Sequence, residues 1–196
     1  MLFSSINAQE KLDSLQQKEN PIVFADASFG YTNGYLKGIS VAASFNYQKN
    51  NNLYTFRASA TYDYRDVDFI SFIPNSGTTR TIEEYGLLYG KRYVEDGFSY
   101  HFSGGFSYNV YVEIDREHIF YNVTKVRNSY FGFPVEIGFS WFKPKKEKFR
   151  VLYGLIPVGK PTSFGRSFGV KLYANLAEKT YIGIGLSLGF GWHKKY

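Results

Sequence analysis

The chain has 196 residues and a net charge of +6, and 20% of its residues are aromatic, but it contains no cysteine. Its length predicts a single domain, and the lack of cysteine excludes a disulfide framework or a thiolate zinc site. No run approaches the roughly 18 consecutive apolar residues that a transmembrane helix needs. A membrane β-barrel stays open, because only alternate residues of its strands face lipid and the averaged hydropathy is low.

The first twenty residues are interpreted as a processing signal and a spacer. Phe3 to Gln9 resembles the end of a secretory signal, with Ala8 before the cut and Gln9 after it. We therefore interpret residues 1–8 as a signal remnant, residues 9–20 as a polar spacer and residues 21–196 as the β-barrel domain.

From Pro21 onward, large apolar side chains alternate with small or polar ones in nine segments separated by turn signals. Asn33-Gly34 predicts a tight hairpin because both residues accept positive φ angles, and Lys49–Asn52 and Glu95–Gly97 predict further turns. No segment of ten or more residues has a helical period, so the predicted class is all-β. The segments are residues 23–31, 39–47, 54–64, 85–93, 100–109, 131–141, 149–158, 164–176 and 181–196.

The last segment has the clearest alternation, with a glycine or serine between successive large apolar residues. A period of two places the large side chains on one sheet face and the small ones on the other. Together with the aromatic C-terminal residue, this pattern is typical of the closing strand of an outer-membrane barrel. The large residues are Ile182, Ile184, Leu186, Leu188, Phe190 and Trp192.

Three features indicate an antiparallel transmembrane barrel with an apolar outward face and a small or polar lumen. The segments run to about 10–15 residues, long enough to cross a bilayer at a tilt. The polar face is rich in Gly and Ser, and Tyr and Trp lie near segment ends, where interfacial aromatic residues are expected. A soluble lipocalin-like carrier, with its large residues inside, is the alternative. The predicted interfacial aromatics are Tyr31, Tyr62, Tyr93, Trp141 and Trp192.

The number of wall strands is left open between eight and ten. A single-chain barrel of this kind needs an even number, whereas nine segments are visible. Either a further strand lies within residues 118–126, which gives ten, or one segment lies outside the wall, which gives eight. The long loops 65–81 and 113–128 are expected on the extracellular side.

The inward face carries eight charged residues, which we predict to form a charge network in the lumen. Opposite charges in a narrow lumen attract one another strongly. We interpret the network as a plug that fills the barrel, with a selective pore or a pocket for a small polar ligand as the alternative. The residues are Asp26, Arg57, Asp63, Glu84, Arg92, Glu136, Arg150 and Lys171.

Two short motifs have a catalytic or nucleotide-binding interpretation that their surroundings do not support. His101 and Ser103 share a strand face, as in the lipid A deacylase barrels, but that face is predicted to be the lumen, away from the bilayer. Gly154–Lys160 has phosphate-loop spacing, but Pro161 stands where a hydroxyl is required. The basic clusters 143–148 and 193–195 are interpreted as solvated turns, with binding of anionic lipid headgroups as the alternative.

Several stretches resemble uncharacterised outer-membrane β-barrel proteins of Bacteroidetes. The resemblance covers residues 21–196 and implies a barrel in a Gram-negative envelope, with no implied activity. It is carried by Leu87–Lys91, Gly132–Glu136, Trp141–Lys143, Gly154–Thr162, Phe168–Asn175 and the terminal residues 189–196.

These patterns predict a non-enzymatic protein of the outer membrane of a Gram-negative bacterium, with a structural or accessory role or a binding role in its loops. A narrow pore or small-solute transporter, and a lipid-modifying enzyme using His101 and Ser103, are the alternatives. Outer-membrane lipid is the expected partner, together with an envelope protein at loops 65–81 and 113–128; nucleic acid, metal and cofactor are not expected. An apolar loop patch that suits a partner consists of Phe69, Ile70, Phe72 and Ile73.

Overall fold

The computed structural model describes residues 22–63, 78–116, 123–145, 147–151, 156–162 and 164–194. No helix occurs in this part of the chain, so none is long and apolar enough to span a membrane. The strands are β1 (Ile22–Gly34), β2 (Gly38–Lys49), β3 (Asn52–Asp63), β4 (Thr78–Glu95), β5 (Phe98–Arg116), β6 (Val123–Phe142), β7 (Glu147–Val151), β8 (Ile156–Thr162), β9 (Phe164–Ala177) and β10 (Tyr181–Trp192).

Eight strands close into an antiparallel barrel in the order β1-β10-β9-β6-β5-β4-β3-β2, and β7 and β8 form a separate two-stranded sheet. The prediction of an all-β barrel with an even number of strands is confirmed. Of the two counts left open, eight is correct. In the segment predicted at residues 149–158, the described residues 149–151 and 156–158 belong to the β7–β8 sheet outside the wall, and residues 123–126 lengthen β6 rather than form a strand of their own.

The pairing register sets the tilt of the wall strands. Paired residues followed around the barrel lead from Val23 through Tyr89 and Ala174 back to Asn33, ten residues further along β1. A stagger of this kind requires strands tilted by roughly 35–45° from the barrel axis. A row of hydrogen-bonded neighbours therefore climbs from one end of the barrel toward the other.

The barrel has two distinct ends. The terminal end holds Ile22 and Trp192, the turns 50–51 and 96–97, and the β7–β8 sheet. The far end holds the turns 35–37 and 178–180 and the connections after Asp63 and Arg116. Residues 65–81 and 113–128 were both predicted to be long loops, but β4 begins at Thr78, and β5 and β6 occupy most of 113–128 because their pairing continues beyond the wall.

The wall has its apolar face outward, as predicted. Strand β10 alternates between buried and exposed at every residue, and Leu186 and Leu188 are 55% and 58% exposed. After Tyr181 the inward residues of β10 are glycine or serine, and Gly183 leaves room for a side chain that crosses the lumen. A Cβ placed on Gly183 would lie 2.5 Å from the ring of Tyr173.

The turns follow the sequence signals with one exception. Asn50 has a φ of 55° in the two-residue turn 50–51, and Gly97 has a φ of 74° in the turn 96–97. Asn33 and Gly34, however, stay in β1 and pair with Ile182 and Tyr181, so the turn lies at 35–37. Gly34 has a φ of 142°, and its Cβ would lie 2.5 Å from the backbone oxygen of Thr180. The glycine serves close strand packing here instead of a hairpin turn.

Candidate functional site

The centre of the barrel interior is occupied by Arg57 of β3, whose side chain is 3% exposed. Its guanidinium group lies 2.6 Å from Oε1 of Glu84 on β4 and 2.9 Å from Oε2 of Glu136 on β6. Because β3 and β6 are separated by two strands in the wall, the pair with Glu136 crosses the lumen. The planar guanidinium can donate to two carboxylates at once, which suits Arg to this position.

Glu136 extends the network to the opposite side of the barrel. Its Oε1 atom lies 3.0 Å from Nε2 of His101 and 3.1 Å from Nζ of Lys171. The same ammonium group lies 2.8 Å from Oδ1 of Asp26, whose Oδ2 accepts a hydrogen bond from Asn46. Positive and negative groups alternate along this series of ion pairs, so each charge in it has an opposite neighbour.

Toward the far end, the network continues from Glu84 through neutral polar groups. Its Oε2 accepts hydrogen bonds from the Tyr181 hydroxyl and from Nδ2 of Asn175, the latter at 2.6 Å. The Asn175 amide also lies 3.0 Å from Oγ of Ser107 and 2.8 Å from Oδ1 of Asn109. These contacts join β4, β5, β9 and β10 at one level of the lumen.

An apolar layer closes the far end above these polar groups. Lys179 caps it, with its ammonium nitrogen 4.0 Å from the ring centre of Tyr35 and 4.4 Å from that of Tyr111. Such contacts stabilise a cation over an aromatic face. The layer consists of the buried residues Leu36, Ile82, Tyr111, Tyr130 and Tyr181, with Tyr173 and Ala177 packed against it.

A second charged group lies beside the apolar layer. Asp63 is fully buried, and its Oδ2 atom lies 3.8 Å from Nη1 of Arg80. Nε of Arg80 lies 3.3 Å from Oε1 of Glu113, and Oε2 of Glu113 accepts a hydrogen bond from the Tyr111 hydroxyl. The far end is therefore closed by apolar packing and by ion pairs together.

At the terminal end, Arg92 is 1% exposed and bonds to neutral groups. Nη1 donates to Oε1 of Gln48 at 2.8 Å and to the backbone oxygen of His193 at 3.0 Å, and Nη2 donates to Oγ of Ser99 at 2.9 Å. The guanidinium carbon lies 4.7 Å from the ring centre of Phe24. Arg92 thereby attaches the residue after β10 to the barrel interior.

The tail after β10 folds across the terminal mouth. The His193 ring stacks on Phe142 at a centroid distance of 5.4 Å, and burial together with the charge of Arg92 lowers its pKa to about 4. Nζ of Lys194 lies 2.9 Å from Oδ1 of Asp96, and this contact lowers the pKa of the Asp96 carboxyl. Residues 193 and 194 are thus held at both sides of the mouth.

The structure places seven of the eight residues of the predicted charge network inside the barrel. Arg150 is the exception, because it lies on β7, outside the closed wall; this corrects its assignment to the lumen. Residues that complete the contacts and were not singled out from the sequence include Gln48, Asn175 and Tyr181. Their position on the inward parity of each strand is the signal that marks them.

His101 and Ser103 both point into the lumen, where they are 6% and 8% exposed. The His101 ring is engaged with Glu136, and the Ser103 hydroxyl has no hydrogen-bond partner within the described residues. A Cβ on Gly138 would lie 2.1 Å from Cε1 of His101, so the glycine makes room for the ring. A lipid outside the closed wall therefore has no access to either side chain.

The predicted interfacial aromatics lie on the outward parity of their strands, near the two ends of the barrel. Tyr31 and Tyr62 are toward the far end and are 50% and 40% exposed. Tyr93, Trp141 and Trp192 are toward the terminal end, where Tyr93 stacks on Tyr100. The predicted loop patch of Phe69, Ile70, Phe72 and Ile73 lies outside the described residues.

The fold and its interior define a closed, eight-stranded antiparallel β-barrel with a polar, ion-paired lumen. Across the described ranges, no group of three or more His, Asp or Glu side chains is arranged to hold a metal ion. No protein-family model matches the sequence, and no curated protein matches it.

Solved structures with a similar fold are known. Neisserial surface protein A aligns with a TM-score of 0.50 and 13% identity over 91% of this chain and 100% of that chain. The attachment invasion locus protein of Yersinia pestis, in complex with the heparin analogue sucrose octasulfate, aligns with a TM-score of 0.49 and 8% identity over 91% of this chain and 98% of that chain. The N-terminal β-barrel domain of Pseudomonas aeruginosa OprF aligns with a TM-score of 0.47 and 10% identity over 87% of this chain and 98% of that chain. The Neisserial protein shows the fold alone, and the resemblance to Bacteroidetes proteins stays a prediction.

Proposed function

We propose that the protein is an integral outer-membrane barrel of a Gram-negative bacterium with a filled, non-conducting lumen, and that its role is structural, accessory or binding. One observation carries this proposal: the large apolar side chains cover the outside of the barrel, and the charged ones are inside. A soluble barrel has the opposite arrangement. A closed barrel with this arrangement satisfies its backbone hydrogen bonds internally, as a bilayer requires.

The extent of the apolar exterior supports a bilayer rather than a protein partner as its main neighbour. Soluble monomers rarely expose apolar patches of more than a few hundred Å². Here exposed Phe, Leu, Ile, Val and Tyr side chains occur on all eight wall strands, including Phe131 at 79% and Leu87 at 68%. A coat that surrounds the barrel fits a lipid environment.

The contacts of the lumen favour a plug over a pore. Arg57 and Glu136 join across the lumen, and the apolar layer and the His193 tail lie at the two ends. Ions would have to break buried ion pairs to pass. The lipid-modifying alternative is the least favoured, because His101 and Ser103 face this filled interior.

A binding role at the far end has its own support. Strands β5 and β6 remain paired as far as Arg116 and Val123, whereas the pairing of β6 with β9 ends at Gly132 and Ala177. Residues 123–131 of β6 therefore form a sheet edge above the wall, and residues 124–129 are all exposed. The connections 64–77 and 117–122 start at the same end.

Membrane fractionation tests the proposal. The chain should be retained in carbonate-washed outer membranes, and recovery as a soluble periplasmic monomer would contradict a membrane location. A pull-down in mild detergent then separates an accessory role from a solitary one. A stoichiometric envelope partner that is lost when residues 64–77 are replaced by a Gly/Ser linker supports binding at the far end.

A further inference from the structure

Strand β6 has an open edge above the wall, at the far end of the barrel. Its pairing with β9 ends at Gly132, whereas its pairing with β5 continues to Val123. Over residues 123–131, here called the β6 edge, β5 is therefore the one strand beside β6 within the described residues. Steps of roughly 3.3 Å per residue give this edge a length of about 26 Å, enough for an added strand of ordinary length. The backbone N–H and C=O groups along such an edge can pair with another extended chain.

The two faces of the β6 edge carry different side chains. Lys125 and Arg127 share the parity of the outward wall residue Phe131, and Val126 lies between them on the opposite face. All three residues 125–127 are exposed, Val126 by 51%. Within the described part of the chain, neither cation lies within ion-pair distance of a carboxylate. One face of the edge is thus basic, and the other has an exposed apolar side chain at its centre.

The neighbouring strand does not neutralise the basic face. Lys125 is opposite Ile114 of β5, and Arg127 is opposite Val112. Glu113 of β5 has the opposite parity and pairs with an arginine of β4. Because side chains directly opposite each other on one face interact most strongly, both cations are available to a strand on the open side of β6.

The same two cations disfavour a second copy of this chain as the occupant. If two β6 edges paired in antiparallel fashion about Val126, Lys125 of each chain would be opposite Arg127 of the other. Like charges directly opposite destabilise a strand pair, and exposed lysines on edge strands generally prevent unselective pairing. A strand with carboxylates at the matching positions would convert this repulsion into attraction. The charge of the edge therefore selects for an acidic strand.

We propose that the β6 edge binds an extended acidic segment of a partner protein by strand addition, with carboxylates beside Lys125 and Arg127 and an apolar side chain beside Val126. This inference rests on the binding role proposed for the far end and names the partner chemistry of that role. Backbone hydrogen bonds provide affinity, and the alternating side chains provide selectivity. The base of the edge sets the register, since Asn128 there donates to Oε1 of Glu178 at 3.3 Å and a further acidic residue would meet like charge.

Peptide binding to the folded full-length chain in lipid vesicles tests this site. The probe is a dye-labelled peptide of about seven alternating glutamate and valine residues, followed by fluorescence anisotropy. The wild type should bind it, and the double variant Lys125→Gln/Arg127→Gln should bind it about fivefold more weakly, because two cross-strand ion pairs are lost. Lys37→Gln, which changes an exposed lysine in the turn 35–37 at the same end, is the matched control and should bind as the wild type does.

N-methylated probes separate strand addition from electrostatic adsorption. One probe is methylated on its valine amides and the other on its glutamate amides, and both keep every charge. Alternate amides of a strand point to opposite edges, so one of these probes should lose binding and the other should keep it. Equal binding of the two probes would overturn strand addition, because adsorption depends on charge alone.

Insertion is measured on the same samples by heat-modifiable gel migration. If the wild type inserts but does not bind the unmodified probe, or if the double variant binds it as tightly as the control, the strand site is wrong and the membrane location stands. If the wild type does not insert, the proposed function fails first. Loss of phosphatidylglycerol retention in the double variant, without probe binding by the wild type, would assign the two cations to a lipid headgroup and also overturn the site.

Discussion

At the scale of single residues, the interior depends on Glu136, which contacts Arg57, His101 and Lys171. Removing this carboxylate would leave two buried cations each with one acidic partner fewer. Loss of one member of a buried charge cluster usually costs more than the intact pair contributes, since the remaining charge is not solvated. The stability of the barrel is therefore expected to fall on substitution of this central carboxylate and to change little on substitution of an exposed one.

Glu136→Gln is expected to lower the free energy of unfolding by about 3–5 kcal/mol. Urea titration of the protein in lipid vesicles measures this value. Glu95→Gln, which removes an exposed carboxylate near the turn 96–97, is the control and should change stability by less than about 0.5 kcal/mol. Similar values for the two variants would contradict a structural role for the charge network.

The buried His193 predicts a pH dependence. Its pKa is lowered to about 4 in the folded protein, against about 6.5 for an unperturbed histidine. Between these values the unfolded chain binds a proton that the folded one does not, so stability falls as the pH drops from about 6.5 to about 4 and this contribution then levels off, at roughly 3 kcal/mol in total. His193→Phe should lose this part of the pH dependence in the same titrations, and Lys194→Gln should keep it. An unchanged profile in His193→Phe would refute the assignment.

At the scale of elements, the two faces of each wall strand differ in the size of their side chains, and introducing charge on the outward face tests this difference. Ile137 and Leu186 are outward residues of β6 and β10 and are 48% and 55% exposed. Ile137→Arg or Leu186→Arg is expected to cost about 2–4 kcal/mol at mid-depth in a bilayer. Val126→Arg, on the part of β6 beyond the wall, is the control. A negligible cost at both wall positions would mean that the faces are reversed.

The β7–β8 sheet is expected to be dispensable for the barrel, because β6 pairs directly with β9 through Phe142 and Ser167. Replacing residues 145–163 with a short Gly/Asn linker should leave heat-modifiable migration intact. A control that removes residues 168–172 from β9 should abolish it, since that deletion opens the wall. Loss of folding in the linker variant would show that the β7–β8 sheet supports the barrel.

The sequence predicts the wall strands well, because a period of two is visible whenever one face is apolar. It does not predict why 149–158 leaves the wall, since alternation says which face a residue takes and not which strand it pairs with. For the same reason, the sequence predicts which residues belong to the charge network but not which of them are in contact. Parity places Arg57 and Glu136 on the inward face, but their contact across 79 residues depends on the stagger of the closed barrel. Asn33-Gly34 misleads because a glycine can serve close packing as well as a turn.

At the scale of the whole molecule, side-chain contacts cross the interior of the described barrel at three levels. The apolar layer closes the far end, the charge network occupies the middle, and Arg92 holds the His193 tail at the terminal end. Reconstituted in a planar bilayer, the purified protein should give no ion conductance, whereas a porin studied under the same conditions should. Stable single-channel steps would contradict the filled lumen and favour the pore.

The proposed membrane location requires the large side chains of the wall to face lipid, and the two tryptophans of the chain report on this contact directly. Trp141 and Trp192 are outward and are 47% and 40% exposed at the terminal end. In vesicles of brominated phospholipid their fluorescence should be quenched, and more strongly when bromine is near the glycerol backbone than near the chain end, because both rings lie at the interface. Fluorescence equal to that in unbrominated vesicles would contradict contact between the wall and lipid.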